Sequence, residues 1–391
     1  MKFFSATAII TFAISILAWP VPIAPPGAHF EWAVVGDSWT AGVAYSSKTA
    51  YRKTDFNFCY RATEAWGAQM EADNTWTEHP QRFHFAACGG SLIRDVRWQL
   101  KGIAGKPQLV LGTFGGNNAN FGDIARSCIY QPWSARWGPP FHEDRSPISP
   151  KSKGQCKQNI AKAQTYIETD LRKDFTDGIN DVFEFAQRPD QSLPNFHLYV
   201  SSYVEFFNAN TDKCNNWSFG SVYSKNRPKL VKKLRVLMNS LVEQFNKVQA
   251  DVINSYKAPR NYHVGYINAS PTFEGHRFCE PGHSFSDQYY NRDVWMWNLQ
   301  FFDKKKLFNV VMEPQTTPDG VTFMPLPAID ANGTVVSLGT NSSRATSDMD
   351  LHSHSGFGWT ARPFHPKHSG HRAMKNLFIQ RLRRDRVPGV V

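Results

Sequence analysis

Along the chain, short stretches with the apolar pattern of β-strands alternate with longer stretches that have the pattern of α-helices. Short, nearly continuous apolar runs predict buried strands over residues 31–35, 82–87, 107–114, 195–203 and 262–267. The sequence also predicts helices over residues 92–100, after Cys156 and over 367–382, and the clearest one lies between 228 and 256, where apolar residues recur at steps of three and four. Strands that alternate with helices favour a parallel sheet covered by helices on both faces. The pattern therefore predicts an α/β fold.

Two stretches break this alternation. Residues 133–155 carry Pro, Gly and charge and are flanked by Cys128 and Cys156, and residues 280–359 are first aromatic and then rich in Ser and Gly. A long segment without a period of its own is typical of a lid, a substrate-binding loop or an insertion. The length of 391 residues is also compatible with two domains. We expect one domain over residues 31–391, with an insertion at 280–359.

Residues 1–18 have the pattern of a secretory signal peptide. Met1 and Lys2 precede an apolar run that ends in the small residue Ala18, and a Pro-rich lead-in follows at residues 19–30. An uncleaved anchor is the alternative, but the run is shorter than the roughly 20 residues that span a bilayer. No second run of that length occurs in the sequence. The pattern predicts a secreted protein without a transmembrane anchor.

Cysteines and glycosylation sequons agree with secretion. Six cysteines, an even number, favour three disulfides, for which many pairings exist. Their spacing contains no CxxC or Cys/His ligand pattern, so the sequence predicts no metal site. N-glycosylation sequons occur at Asn216, Asn268, Asn332 and Asn341.

The charge balance is strongly basic. Lys and Arg number 44 against 33 Asp and Glu, which gives a net charge of +11 at pH 7. Basic residues cluster at 229–235, 304–306 and 381–386. In a secreted protein this charge favours attraction to an anionic surface, although solvated helix faces explain the same clusters. No nucleic-acid-binding motif accompanies the charge, so nucleic acid is not predicted as a partner.

Four short motifs carry the residue types of an acyl-transfer site. A Gly-Asp-Ser turn places Ser38 directly after the first predicted strand, and Gly90 and Asn117 follow the next two. His365 precedes the last predicted helix in a Phe-His-Pro motif. A serine hydroxyl becomes nucleophilic when an imidazole takes its proton, and backbone N–H groups and Asn side chains stabilise an oxyanion. A Gly-Asp-Ser turn alone is common, so the prediction depends on all four motifs together.

In this order the four motifs resemble the blocks of the SGNH/GDSL hydrolase superfamily, from residue 34 to about residue 374. The resemblance implies a three-layer α/β/α sandwich with a flavodoxin-like parallel sheet, no cofactor, and a site at the carboxyl edge of the sheet. It implies Ser38 as nucleophile and His365 as general base, and an oxyanion hole made by the N–H groups of Ser38 and Gly90 and the side chain of Asn117. Residues 276–280 are similar to a segment of secreted fungal esterases of this superfamily. The same resemblance implies the disulfides Cys59–Cys88, Cys128–Cys156 and Cys214–Cys279.

The sequence departs from the family pattern in the group that orients the histidine. Arg362 stands three residues before His365, where the family often has an Asp that fixes the imidazole tautomer. A main-chain carbonyl at residues 359–362 is the favoured substitute, and the carboxylates of Asp348 and Asp350 are the alternatives. A smaller departure is the Trp that follows the Gly-Asp-Ser turn in place of the usual Leu.

We therefore expect a secreted carboxylic ester hydrolase that works through an acyl-serine intermediate. A non-catalytic protein that binds cell wall or lipid on the same scaffold is one alternative, and Arg362 is the residue that favours it. An acyltransferase that uses the same residues is another. His368 and His371, one helical turn apart, are interpreted as surface or packing residues rather than as a metal pair. The expected partner is an ester, and lipids, short acyl esters and acetylated polysaccharides all remain open.

Overall fold

The computed structural model of the chain describes residues 29–44, 48–55, 58–131, 137–141, 147–189, 193–220, 227–299, 314–323, 328–329, 335–336 and 362–391. The predicted signal peptide and the lead-in up to residue 28 lie outside these residues. So do the sequons at Asn332 and Asn341 and the carboxylates of Asp348 and Asp350. Within the described part, no helix is long and apolar enough to cross a membrane.

Five parallel strands form the central sheet. The described strands are β1 (Phe30–Gly36), β2 (Gln81–Phe85), β3 (Leu109–Thr113), β4 (Phe196–Ser201), β5 (Trp217–Ser218), β6 (Tyr262–Ile267), β7 (Gln315–Thr316), β8 (Thr322–Phe323), β9 (Ala328–Ile329) and β10 (Val335–Val336). The order in the central sheet is β2-β1-β3-β4-β6, and every neighbouring pair is parallel. This is the order of flavodoxin-like sheets, in which ligands bind at the carboxyl ends of the strands, where the order reverses. The predicted flavodoxin-like parallel sheet is confirmed.

Strand β1 lies between β2 and β3, and its sequence explains that position. Residues 32–36 are all buried, and so is every residue of β3. Strands that are buried on both faces consist of nearly continuous apolar runs, which is the pattern by which the sequence predicts them. Because the three strands run in the same direction, the segments that follow Gly36, Phe85 and Thr113 emerge at the same edge of the sheet.

Helices cover both faces of the sheet. The described α-helices are α1 (Ser38–Ala41), α2 (Trp66–Glu71), α3 (Val96–Lys101), α4 (Phe121–Ile124), α5 (Gln155–Thr169), α6 (Leu171–Ala186), α7 (Lys232–Ser255), α8 (Asp287–Tyr290) and α9 (His368–Arg384). Helices α3, α5, α6 and α7 pack together on one face, where the ring of Phe114 stacks on that of Phe175. Helices α2 and α9 pack together on the other, where Trp66 stacks on Phe378. The predicted three-layer α/β/α sandwich is confirmed.

Disulfides and small sheets fasten the irregular segments to this core. The structure contains three disulfides, and they are the pairs that the resemblance implies: Cys59–Cys88, Cys128–Cys156 and Cys214–Cys279. Within the predicted insertion, β7 and β8 join β5 in a three-stranded sheet, and β9 pairs with β10. The side chains of Asn216 and Asn268 are exposed, as glycosylation requires, and their modification stays a prediction.

Candidate active site

The Gly-Asp-Ser turn presents Ser38 at the carboxyl end of β1. Gly36 has a φ of +127°, and a Cβ atom there would approach the Thr113 carbonyl oxygen to 2.2 Å, so only glycine fits. The Asp37 side chain accepts a hydrogen bond of 2.9 Å from the Trp39 N–H and thereby caps α1. Ser38 is the first residue of that helix and is half-buried. The turn therefore holds the serine at the edge where the resemblance places the site.

The structure brings His365 into direct contact with this serine. The His365 Nε2 atom lies 2.7 Å from the Ser38 Oγ atom. The Nδ1 atom lies 3.1 Å from the carbonyl oxygens of both Arg362 and Pro363. Because carbonyls only accept hydrogen bonds, this arrangement assigns the proton to Nδ1 and leaves Nε2 free to accept from the serine hydroxyl.

These two carbonyls are the main-chain groups that orient His365 in this chain. The Arg362 carbonyl lies within the range 359–362 that the sequence favours for a main-chain substitute, and the Pro363 carbonyl lies one residue beyond it. The Arg362 guanidinium is directed elsewhere, with its Cζ atom 3.9 Å from the centre of the Trp297 ring. Arg362 therefore contacts His365 through its backbone carbonyl, and this contact does not depend on which side chain stands at position 362.

Burial keeps the histidine in its neutral form. His365 is buried, and this burial lowers its pKa from 6.5 to about 4, although the hydrogen bonds to the Pro363 and Arg362 carbonyls act in the opposite direction. At neutral pH the imidazole is therefore uncharged and ready to take a proton from Ser38.

The loop that carries His365 is paired with the first part of the predicted insertion. The Trp297 N–H donates to the His365 carbonyl at 2.8 Å, and the Phe364 N–H donates to the Trp297 carbonyl at 2.7 Å. The Lys367 N–H donates to the Trp295 carbonyl at 2.6 Å. Residues 295–297 thus act as a short antiparallel partner that fixes the histidine loop, a role that the sequence pattern does not reveal.

The Gly90 loop is tied to the end of β1. The Cys88 N–H donates to the Gly36 carbonyl at 3.0 Å. The buried Gln99 side chain accepts from the Gly36 N–H at 2.7 Å and donates to the Gly36 carbonyl at 2.8 Å and to Ser91 Oγ at 3.0 Å. Across the loop, the disulfide between Cys59 and Cys88 braces the strand that leads to Gly90. Gly90 itself is exposed and has a φ of +82°.

Asn117 closes the site from the side of β3. Its Nδ2 atom donates to the Ser91 carbonyl at 2.9 Å and so joins the loops that follow β3 and β2 across the end of β1. An amide carries two hydrogens, so one remains for a substrate oxygen. Among the described residues, no acceptor takes the N–H of Ser38 or of Gly90. Three potential donors are therefore grouped around the serine turn.

Known proteins with similar sequences are lipases. No family model matches the sequence. A lipase from Streptomyces rimosus is 26% identical over 250 residues, which are 64% of this chain and 73% of that protein. Lipase 1 from Streptomyces coelicolor is 25% identical over 257 residues, which are 66% of this chain and 75% of that protein. The chain is a carboxylic ester hydrolase whose sequence is similar to these Streptomyces lipases.

A solved structure agrees with the fold of this hydrolase. Phospholipase A1 from Streptomyces albidoflavus matches 90% of this chain and 99% of its own, with a TM-score of 0.50 and 17% identity. Both curated relatives are bacterial. The expected likeness of residues 276–280 to fungal esterases in particular is therefore not supported.

Sequence reasoning about this hydrolase missed two side chains that shape the site. Gln99 holds both backbone groups of Gly36, and Tyr203 hydrogen-bonds to Asp37 beneath the serine turn. Tyr203 is the last residue of a predicted strand, so a search of strand ends for polar side chains would have found it. Of the two histidines of α9, His371 is buried and His368 is exposed.

Proposed function

We propose that this protein is a secreted hydrolase in which Ser38 is the nucleophile and His365 the general base. Ser38 Oγ attacks the ester carbonyl carbon while its proton passes to His365 Nε2. The tetrahedral intermediate then collapses, and the protonated imidazole gives its proton to the leaving alcohol. Water, deprotonated by the same imidazole, attacks the acyl-serine and releases the acid.

The single observation that carries this proposal is the contact of 2.7 Å between Ser38 Oγ and His365 Nε2, with Nδ1 turned to two carbonyls. The contact supplies a base within hydrogen-bond reach of the nucleophile. The carbonyls hold the tautomer that accepts the proton, and their dipoles stabilise the imidazolium that forms during the reaction. A buried aspartate performs both tasks in a triad.

The oxyanion hole in this proposal consists of the N–H groups of Ser38 and Gly90 and the Nδ2–H of Asn117. Donors that are already fixed before the reaction stabilise the charge that develops on the carbonyl oxygen. Support comes from the bonds that fix two of these donors: Asp37 caps the serine helix, and Ser91 accepts one hydrogen of the Asn117 amide.

Replacing Asn117 by Ala tests the side-chain donor. We expect kcat for p-nitrophenyl butyrate to fall by about 10²–10³-fold with little change in KM, because an oxyanion donor acts mainly in the transition state. Asn254→Ala, at an exposed position on α7, is the matched control and should retain wild-type kcat. A loss confined to KM would show that Asn117 binds the substrate and does not stabilise the oxyanion.

Lipid esters are the substrate class in this proposal. Both curated relatives are named lipases, and the structural neighbour is named a phospholipase A1. Aromatic rings adjoin the site residues: Phe206 lies 4.8 Å from half-buried Phe121, 5.2 Å from Phe364 and 6.4 Å from Trp39 between ring centres. Phe121 is the partly exposed ring of this group, and in this proposal it contacts the acyl chain, whereas Phe206, Phe364 and Trp39 are buried. Rates on p-nitrophenyl esters from acetate to palmitate, with acetylated xylan for comparison, measure the preference.

Secretion is supported by the three disulfides, which persist in oxidising compartments. The solved Streptomyces rimosus lipase is described as extracellular.

Covalent labelling tests the nucleophile. With a small fluorophosphonate at pH 8, Ser38 Oγ attacks phosphorus, fluoride leaves, and the serine proton passes to His365. We expect one phosphonyl adduct on the intact protein, mapped to Ser38 by tandem mass spectrometry, and no adduct on Ser38→Ala. If the folded wild-type protein stays unlabelled, the proposed mechanism is wrong and the non-catalytic alternative is favoured.

A further inference from the structure

Tyr203 lies beneath the serine turn and is not part of the family motifs that the sequence contains. Its hydroxyl donates a short hydrogen bond to Asp37 Oδ2 and accepts one of 2.7 Å from the Gly116 N–H. Asp37 directly precedes Ser38, and Gly116 directly precedes Asn117. One hydroxyl group therefore joins the turn that carries the nucleophile to the loop that carries the proposed oxyanion donor.

The ends of three strands meet at this hydroxyl. Asp37 follows β1, Gly116 follows β3, and Tyr203 follows β4. In the sheet these strands are neighbours in the order β1-β3-β4. The Tyr203 hydroxyl, which comes from the loop after β4, therefore contacts both the loop after β3 and the turn after β1. A shift of any of these three segments relative to the others would change one of its two hydrogen bonds.

Tyr203 is itself held from the side of α7. Its backbone N–H donates to Asn246 Oδ1 at 3.1 Å, and its carbonyl accepts from Asn246 Nδ2 at 2.9 Å. Its ring centre lies 5.5 Å from the rings of both Trp39 and Phe245. A Cβ atom at Gly116 would lie 3.0 Å from the Tyr203 hydroxyl oxygen, so any larger residue there would press on the tyrosine ring. These contacts hold the Tyr203 hydroxyl in one position.

We propose that Tyr203 is a positioning residue for ester hydrolysis, whose hydroxyl sets the spacing between Ser38 and the oxyanion donor Asn117. This inference rests on the proposed function. Substrate binding makes little use of the spacing. The tetrahedral intermediate depends on it, because its oxyanion must reach Asn117 while its carbon is bonded to Ser38. Misplacement of such a group by about 1 Å can cost 10²-fold in rate.

The charge on Asp37 gives this role a distinctive pH dependence. Burial raises the pKa of Asp37 to about 6, while the hydrogen bond from Tyr203 acts to lower it. The other groups that face this carboxylate are the backbone N–H groups of Trp39 and Gly116, and Tyr166 adds a weaker charge interaction with Tyr203. As the pH falls through about 6, Asp37 takes up a proton and the charge-assisted bond to Tyr203 is lost.

Tyr203→Phe, with Tyr199→Phe as matched control, tests the inference. Tyr199 is a buried residue of β4 whose hydroxyl also donates a hydrogen bond to a carboxylate, that of Asp385, with 2.8 Å between the two oxygens. Asp385 directly follows α9 and is not part of the proposed site, so the control removes the same kind of hydrogen bond elsewhere in the protein. We expect Tyr203→Phe to lower kcat by about 10- to 100-fold with KM nearly unchanged. The control should retain wild-type kcat. Circular dichroism establishes that both variants are folded.

The pH profile separates positioning from a merely structural effect. In the wild type we expect kcat to fall on the acidic side of its pH profile, the acidic limb, at about pH 6, where Asp37 takes up a proton, and not at about pH 4, where His365 takes one up. Tyr203→Phe should move this limb upward, because the bond that lowers the pKa of Asp37 is gone. Asp37→Asn should remove it and leave the limb of His365, at a reduced kcat.

Wild-type kcat and an unchanged acidic limb in Tyr203→Phe would overturn the inference. If that variant does not fold, Asp37→Asn decides alone, and an acidic limb that stays at about pH 6 in it overturns the inference. Fluorophosphonate labelling distinguishes the two failures. A labelled wild-type protein with an unaffected Tyr203→Phe variant removes only the role of Tyr203, whereas an unlabelled wild-type protein removes the proposed function.

Discussion

Ser38→Ala is expected to lower kcat for p-nitrophenyl butyrate by about 10⁴-fold or more, while the protein keeps its fold. Alanine removes the Oγ atom that lies 2.7 Å from His365 Nε2 and leaves the backbone of α1 unchanged. Without that oxygen no acyl-serine forms, and only the oxyanion donors and the base remain to assist direct attack by water. Release of p-nitrophenolate at pH 8 measures the effect.

Ser255→Ala is the matched control for this experiment. Ser255 is the exposed last residue of α7, and its hydroxyl donates only to backbone carbonyls of the same helix. Its replacement should leave kcat and KM at wild-type values. If Ser38→Ala has near wild-type activity and a native circular dichroism spectrum, another group performs the attack and the mechanism proposed above is wrong.

His365→Ala is expected to lower kcat to a similar extent, because nucleophile and base act as one unit and their losses do not add. The substitution removes the proton acceptor of Ser38 and leaves a cavity beside the hydroxyl. We therefore expect free imidazole in the buffer to restore part of the activity in a concentration-dependent way. His368→Ala, at an exposed position three residues further along the chain, is the control and should be fully active.

Imidazole rescue distinguishes a chemical role of His365 from a structural one. A histidine that merely supports the loop would be replaced by a small molecule without effect on turnover. Loss of activity in His365→Ala without any rescue, together with a changed near-UV spectrum, would contradict its assignment as general base. The double variant with Ser38→Ala should show neither activity nor rescue.

Much of the fold follows from local patterns in the sequence. The inner strands β1, β3 and β4 are predicted because strands buried on both faces have nearly continuous apolar runs. Helix α7 is predicted because its apolar residues recur at steps of three and four. The positions of Ser38, Gly90 and Asn117 follow as well, since each comes after a strand of a parallel sheet and such strand ends share one edge.

The contacts that complete the site do not follow from local patterns. Ser38 and His365 are 327 positions apart, so only the family resemblance, and no periodicity, relates them before the fold is known. Tyr203 stands at the end of a predicted strand and could have been noted there as a polar side chain, but its contacts with Asp37 and Gly116 on the loops of two other strands do not follow from a pattern along one strand. The pairing of residues 295–297 with the His365 loop joins two segments of irregular sequence, for which no period exists to be recognised.

The two carbonyls that orient His365 have a consequence for genetic and engineering studies of this protein. Every amino acid has a carbonyl, so no codon change at position 362 or 363 deletes the orienting group. A saturation screen of these positions will measure how the Arg362 and Pro363 side chains pack. It will not measure the contribution of the two carbonyls to the orientation of the imidazole. The orienting contact is removed only by changing the course of the loop, for example by an inserted residue. Search patterns that demand an acidic residue three positions before the histidine will likewise pass over enzymes built in this way.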